Sequence, residues 1–224
     1  MTLASYKGLC IDAADPERLG RFWAAVLDLS LDLRGTDPSP LTGPTKQHTV
    51  WINPVPEPKT VKHRWHIDVN AGSVEALTAL GATVIDAESY PWTVMADPEG
   101  GELCVFVREG EITRRLYELV VDCGADPHPL AAWWADLLGG RVVDSPRGFS
   151  YVEEVPDAPF EAICFIPVPE PKTVKNRIHV DVSTPDVGAI TAAGASVVRT
   201  RDDELDWHVL ADPWGNEFCA FIRA

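Results

Sequence analysis

The sequence is poor in positive charge. Its 19 Lys and Arg stand against 34 Asp and Glu, a formal net charge of −15. A chain this acidic is a poor match for nucleic-acid phosphates or for an anionic membrane surface. Long hydrophobic runs are missing too: none approaches the roughly 20 residues that cross a bilayer. The opening stretch, MTLASYKGLCIDAADPERLG, has neither the basic start nor the apolar core of a secretory signal. Cysteines are few: Cys10, Cys104, Cys123, Cys164 and Cys219 are odd in number, scattered, and never spaced as CxxC. That pattern offers no zinc-ribbon or thioredoxin-like motif and suits a reducing compartment. No phosphate loop, dinucleotide fingerprint or Ser-His-Asp set occurs either. The expectation is a soluble, cytoplasmic protein whose partner is a small molecule, with no nucleic acid and no membrane.

What the chain does have is a second copy of itself. VPEPKTVKHRWHIDV (55–69) returns as VPEPKTVKNRIHVDV (168–182), identical at twelve of fifteen positions and 113 residues later. LGATV (80–84) answers AGASV (193–197) at the same offset, and WTVMADPEGGELCVF (92–106) answers WHVLADPWGNEFCAF (207–221) at 115. DPERLGRFWAAVLDL (15–29) answers DPHPLAAWWADLLGG (126–140) at 111. Landmarks in constant order with a drifting offset describe a tandem duplication. Its seam is REGEITRR (108–115), and the domains are read as 1–110 and 114–224. Two copies are too few for a solenoid, so each is domain-sized.

Within the second copy, LYELVVDC is β-rich, and DPHPLAAWWADLLGG is a helix with Asp126 as N-cap and Gly139-Gly140 as its stop. Short strands follow, then the Pro/Lys loop, the strand RIHVDVS, a helix opened by Thr184-Pro185 and closed by Gly194, and three more strands. The order is β-α-β-β-β, twice. The first copy repeats it, except that residues 35–47, with Pro38, Pro40 and Pro44, read as a mobile loop rather than a strand.

Strand alternation sorts the faces. Trp65, Ile67 and Val69 oppose His66, Asp68 and Asn70; Ile178, Val180 and Val182 oppose Arg177, His179 and Asp181. On the last strand of each copy, Glu102, Cys104 and Phe106, and likewise Glu217, Cys219 and Phe221, share a face. The apolar faces are expected against helices, and the mixed faces on the open side, where a small molecule would bind. The tryptophan pairs Trp92/Trp207 and Trp23/Trp134 are read as core filling. Lys59, Lys62, Lys172 and Lys175 either steer an anionic ligand or belong to a rigid crossing between modules.

These residues resemble the vicinal oxygen chelate superfamily, whose members include glyoxalase I, extradiol dioxygenases and bleomycin-resistance proteins. The resemblance rests on the doubled β-α-β-β-β unit, on VPEPKTVKNRIHVDV and on ADPWGNEFCAF. It covers nearly the whole chain. It implies an α+β fold of tandem glyoxalase-like domains, each made of two βαβββ modules forming a cupped mixed sheet with helices on its outer face. Single-domain relatives pair as dimers, so the chain is expected as a monomer with an internal pseudo-dimer or as a homodimer.

Catalytic members of the superfamily hold a divalent metal with a first-strand His, Gln or Glu, a fifth-strand His and a last-strand Glu. Here the fifth-strand position carries His66 and His179, the first-strand position Gly8 and Glu118, and the last-strand position Cys104 and Cys219, with Glu102 and Glu217 two residues earlier. The candidate ligand-binding residues are therefore His66, Asp68, Glu102, Cys104, Glu118, His179, Asp181, Glu217 and Cys219. A zinc or nickel ion in the second domain, held by Glu118, His179 and Cys219 or Glu217, is weighed against cysteines that merely fill strands, and the metal-free reading is preferred. Three functions stay open: a glyoxalase- or bleomycin-resistance-like binding protein without the usual metal triad; a metal-dependent lyase, isomerase or dioxygenase acting through the second domain; and a metal-free enzyme with His66 or His179 as general base. Any polar binding is expected in the second half.

Overall fold

The computed structural model describes residues 2–32 and 39–223. The chain forms four βαβββ modules in succession. The first contains β1 (Ser5–Ala13), α1 (Pro16–Leu27), β2 (Ser30–Leu31), β3 (Ser39–Thr42) and β4 (Val50–Pro54). The second contains β5 (Trp65–Ala71), α2 (Val74–Thr78), β6 (Thr83–Asp86), β7 (Thr93–Ala96) and β8 (Glu102–Val107). The third contains β9 (Leu116–Cys123), α3 (His128–Leu138), β10 (Arg141–Asp144), β11 (Ser150–Glu153) and β12 (Ala162–Pro167). The fourth contains β13 (Ile178–Thr184), α4 (Val187–Ala192), β14 (Ser196–Arg199), β15 (His208–Ala211) and β16 (Glu217–Ile222).

Local chemistry sets the helices. Asp15 caps α1, its carboxylate accepting from the Arg18 N–H at 3.1 Å, and Pro16 supplies the fixed φ of the first turn. Leu19, Phe22, Trp23 and Val26 then fall on one buried stripe. α3 begins at His128, whose N–H bonds Asp126 at 3.1 Å, and is closed by Gly139, whose φ of 76° a residue without a Cβ adopts at no steric cost. α4 is capped by Asp186 rather than by Thr184-Pro185, since Asp186 accepts from the Gly188 N–H at 2.8 Å.

The modules assemble in a nested order. One eight-stranded sheet runs β14-β15-β16-β13-β1-β4-β3-β2, the other β10-β11-β12-β9-β5-β8-β7-β6. The first and fourth modules therefore share a sheet (the outer-module sheet), and the second and third share the other (the inner-module sheet). Each is joined by an antiparallel seam, β1 to β13 and β5 to β9. So each sheet draws one module from each sequence copy, although the copies themselves are consecutive.

Both sheets turn their apolar faces toward a single continuous core. Trp134 of α3 is fully buried, 5.5 Å from Trp65 of the inner-module sheet and 5.4 Å from Phe218 of the outer-module sheet. The assignment of Trp23 and Trp134 to the core therefore holds.

Residues 39–42 correct the loop expected over 35–47. They form a strand paired on both sides, with Leu41 opposite Val50 and opposite Leu31. Pro40 fits because its carbonyl accepts from the Asp32 N–H at 3.2 Å, so its nitrogen points to the same side, where β2 has already ended at Leu31. The ladder to β4 loses no donor. Residues 46–48 form a short 3-10 turn, and residues 35–38 lie outside the described residues. Among the described residues, no helix is long and apolar enough to cross a membrane.

Candidate functional site

The open face of each sheet carries the same three side chains. Asp68 on β5 lies between Cys104 on β8 and Glu118 on β9, with His66 two residues away on the same face. Asp181 on β13 lies between Cys219 on β16 and Gly8 on β1, beside His179. In the inner-module sheet His66 Nε2 is 3.4 Å from Asp68 Oδ1 and 3.7 Å from Cys104 Sγ. In the outer-module sheet the matching distances are 3.6 Å to Asp181 and 3.3 Å to Cys219.

Burial dictates the ionisation of these groups. It pushes His66 down to about 3 and holds His179 below its ordinary value. It raises Asp68 and Asp181, and it raises the Cys104 and Cys219 thiols. Although His66 and Asp68 sit at ion-pair distance, both favour their neutral forms, because burial outweighs the opposing Glu102 charge at His66, and Glu118 adds to the effect of burial at Asp68. The Nδ1 atoms of His66 and His179 and the Oδ1 atom of Asp68 are buried without a hydrogen-bond partner. Orphaned polar atoms of this kind are scarce in folded proteins.

The nested topology regroups the residues expected to act together. Glu118 was expected beside His179; it stands opposite Asp68, in the sheet of His66. Gly8, not Glu118, faces Asp181. A side chain at Gly8 is excluded by packing, since a Cβ there would lie 2.9 Å from the Thr49 carbonyl oxygen. The two triads match, and one difference between the cups is Glu118, which faces Asp68 where Gly8 faces Asp181. Glu118 is pushed up to about 7, first by burial and then by Glu161, with a hydrogen bond from Tyr117 opposing.

Glu102 and Glu217 are engaged elsewhere. Glu102 bonds Lys59 Nζ at 2.7 Å and the His63 N–H at 3.0 Å. Glu217 repeats this with Lys172 at 2.7 Å and the Asn176 N–H at 3.1 Å. Lys62 reaches Asp122 and Lys175 reaches Asp12, each carboxylate belonging to the opposite sequence copy. Arg64 donates to the carbonyls of Glu170 and Pro171, and Arg177 to that of Glu57. The duplicated loops are thus a rigid, mutually braced crossing.

Other residues enter the cups unannounced. Trp92 and Trp207 are half-buried and stack on Phe106 at 5.3 Å and Phe221 at 5.2 Å, on the open faces rather than in the core. Tyr90, Trp92, Phe106 and Tyr117 form a continuous aromatic wall in the inner-module sheet, with centroid separations of 5.2, 5.3 and 4.9 Å. Beside it lies a pocket of about 560 Å³ lined by Tyr117, Glu118, Tyr151, Glu153 and Glu161 among others. Strand alternation hides Tyr117, because the ladder slips between Asp68 and Val69 and lets consecutive residues Tyr117 and Glu118 both reach the pocket. In the outer-module sheet, the Lys7 ammonium lies 3.8 Å over the Phe221 ring.

Residues 8–106 and 118–221 each match the family model described as "Glyoxalase-like domain". No curated protein matches the chain. Among solved structures, glyoxalase I from Zea mays aligns with a TM-score of 0.66 at 12% identity, over 97% of this chain and 92% of its own. A putative dioxygenase from Bacillus subtilis aligns with a TM-score of 0.67 at 14% identity, over 99% and 86%. Identities this low carry the fold and not the chemistry.

Proposed function

Because this chain belongs to the glyoxalase-like domain family, with one copy in each half, we propose that it binds a small organic molecule in the cup of the inner-module sheet. The observation that carries this reading is the pocket of about 560 Å³ bordered by Tyr117, Glu118 and Tyr151. Concave space, aromatic walls and a few convergent polar groups are the usual features of a small-molecule site. The rim adds Asp144, Glu153, Glu154 and Glu161, which are paired with His128, Arg141 and Arg114, so the preference for a ligand bearing an amine over one bearing a carboxylate rests on Glu118. The cup of the outer-module sheet offers Gly8 in place of Glu118 and Lys7 in place of Tyr117, which suits it to a different ligand or to a structural role.

Tyramine and its carboxylate counterpart, 4-hydroxyphenylacetate, separate these features by calorimetry. Tyramine is expected to bind saturably and the carboxylate at least tenfold more weakly. Glu118→Gln is expected to weaken tyramine about tenfold, as loss of one charge-assisted contact of roughly 1.4 kcal/mol would do. Equal binding of the two probes, unchanged by Glu118→Gln, would remove the basis for this reading.

The triads favour a second reading, in which the cups hold metal. Nitrogen, oxygen and sulfur donors separated by 3.3–3.7 Å along each measured edge suit tetrahedral zinc, whose bonds run about 2.0–2.3 Å. The unpartnered Asp68 Oδ1 is the sort of atom a cation would satisfy. His66, Asp68 and Cys104 would hold one ion, and His179, Asp181 and Cys219 another. A bound ion would polarise adjacent oxygens of a ligand, as a lyase, isomerase or dioxygenase requires. Zinc titration of the reduced protein is expected to show two equivalents, falling to one in His66→Ala and to one in His179→Ala. Zinc uptake indifferent to both substitutions leaves the cups metal-free.

A further inference from the structure

The two cups also differ at the end where their last strands finish. In the outer-module sheet β1 slips against β13 between Tyr6 and Gly8, and the bulge brings Lys7 to the open face, its ammonium 3.8 Å over the Phe221 ring. The matching bulge in the inner-module sheet brings Tyr117 to Phe106, 4.9 Å away. Beside those rings, the Asn70 side-chain oxygen accepts from Arg108 Nε at 2.7 Å. Ser183 stands in the place of Asn70, opposite Phe221. Arg223, the counterpart of Arg108, donates instead to Ser5 Oγ.

These groups share one surface. Ser5 pairs with Ser183 across the β1–β13 ladder, and Ser183 with Phe221 across the β13–β16 ladder, so both hydroxyls and the ring lie on the same face. Lys7, Ser5, Ser183 and Phe221 are half-buried and Arg223 is exposed, so solvent reaches them all. Acidic residues outnumber basic ones 34 to 19, yet among the described residues no carboxylate comes within ion-pair distance of Lys7 or Arg223. Asp181, two residues before Ser183 on the same face, is buried and lies beyond that distance from both. The Lys7 ammonium keeps its three N–H donors, and the Arg223 guanidinium has donors left after Ser5. Each serine has a hydroxyl hydrogen to give as well.

We infer that this end of the outer cup binds a small phosphate monoester, its phosphoryl group held by Lys7, Arg223 and the hydroxyls of Ser5 and Ser183, and its organic part lying along Phe221 and Trp207. Two cations answer the nearly two negative charges of a phosphate monoester, and donors from four side chains suit three phosphoryl oxygens better than the two coplanar oxygens of a carboxylate. Phe221 and Trp207, stacked 5.2 Å apart and both half-buried, offer apolar surface beside the cations. The site shares no residue with the inner cup, so it stands or falls independently of the amine site there.

The test is calorimetry of the full chain at constant ionic strength, with phenyl phosphate in one arm and inorganic phosphate in the other. Phenyl phosphate is expected to bind saturably and at least tenfold more tightly than inorganic phosphate. Lys7→Met and Arg223→Gln are each expected to weaken it at least fivefold, and Lys7→Arg, which keeps the charge, to hold most of the affinity. Should Lys7→Met fail to fold, Arg223→Gln, at an exposed position, decides alone. No saturable binding of phenyl phosphate, equal affinity for inorganic phosphate, or an affinity unmoved by the substitutions overturns the site.

Discussion

Glu118 is the residue on which neutral pH acts most directly. Its folded pKa, raised to about 7 by burial, lies above the ordinary carboxylate value. A carboxyl raised in this way favours the folded state fully below its unfolded pKa of about 4.3, and that contribution is lost as pH rises through the folded value. Stability is therefore expected to fall between about pH 4.3 and 7, and Glu118→Gln to flatten that part of the profile in denaturant unfolding. A profile unchanged by the substitution would place the loss elsewhere. Binding of an amine in the cup should run the other way, strengthening as Glu118 ionises. Such residue-level behaviour is only partly legible in the sequence. The face shared by His66, Asp68 and Cys104 follows from a period of two, whereas the neighbours of Glu118 depend on which strands meet at the seam. Trp92 and Trp207 were misplaced for a related reason: their stacking on Phe106 and Phe221 follows from register between strands, which composition does not carry.

At the scale of elements, the repeated motifs are mostly devices for holding turns. Asp97 in ADPEGG accepts from the Glu99 and Gly101 N–H groups, both at 2.8 Å. Asp212 in ADPWGN accepts from Trp214 and Asn216, both at 2.9 Å. Each turn presents Glu102 or Glu217 to the lysine of the adjoining loop. These side chains recur at one offset because each copy needs the same corner, so the βαβββ order is legible from them. β3 is the exception: three prolines outweigh Leu41 in any propensity sum, and only the direction of the Pro40 carbonyl shows why pairing survives. The first strand offers a sharper test. Gly8→Ala forces a Cβ to within 2.9 Å of the Thr49 carbonyl, a backbone atom that cannot swing aside. Overpacking of this sort costs about 1–3 kcal/mol, read as a lower denaturation midpoint. A neutral Gly8→Ala would mean that β1 and the Thr49 segment part more easily than their packing implies.

At the scale of the molecule, the two sheets share one core and are expected to unfold as one body. Glu99 of the inner-module sheet accepts from the Ala14 and Asp15 N–H groups at 3.0 and 2.6 Å and pairs with Arg177 at 3.3 Å, tying it to the first and fourth modules. Trp134 touches both sheets, so Trp134→Ala is expected to cost about 3–5 kcal/mol while unfolding remains a single transition by circular dichroism and by fluorescence. Two separated transitions would mean that the sheets unfold independently.

The nested order of the modules also has a history written into it. A ribosome releases β1 early, but the strand that closes its open edge, β13, begins at residue 178. At about 5–20 residues per second the nascent edge waits roughly 8–33 s for its partner, while β5 and β9 meet after a far shorter interval. The inner sheet should therefore mature first and the outer one last. An unclosed edge is also open to the same strand of a neighbouring chain. Crowded, rapid expression should accordingly yield exchanged dimers in which β1 of one molecule is sealed by β13 of another, and slower synthesis should suppress them.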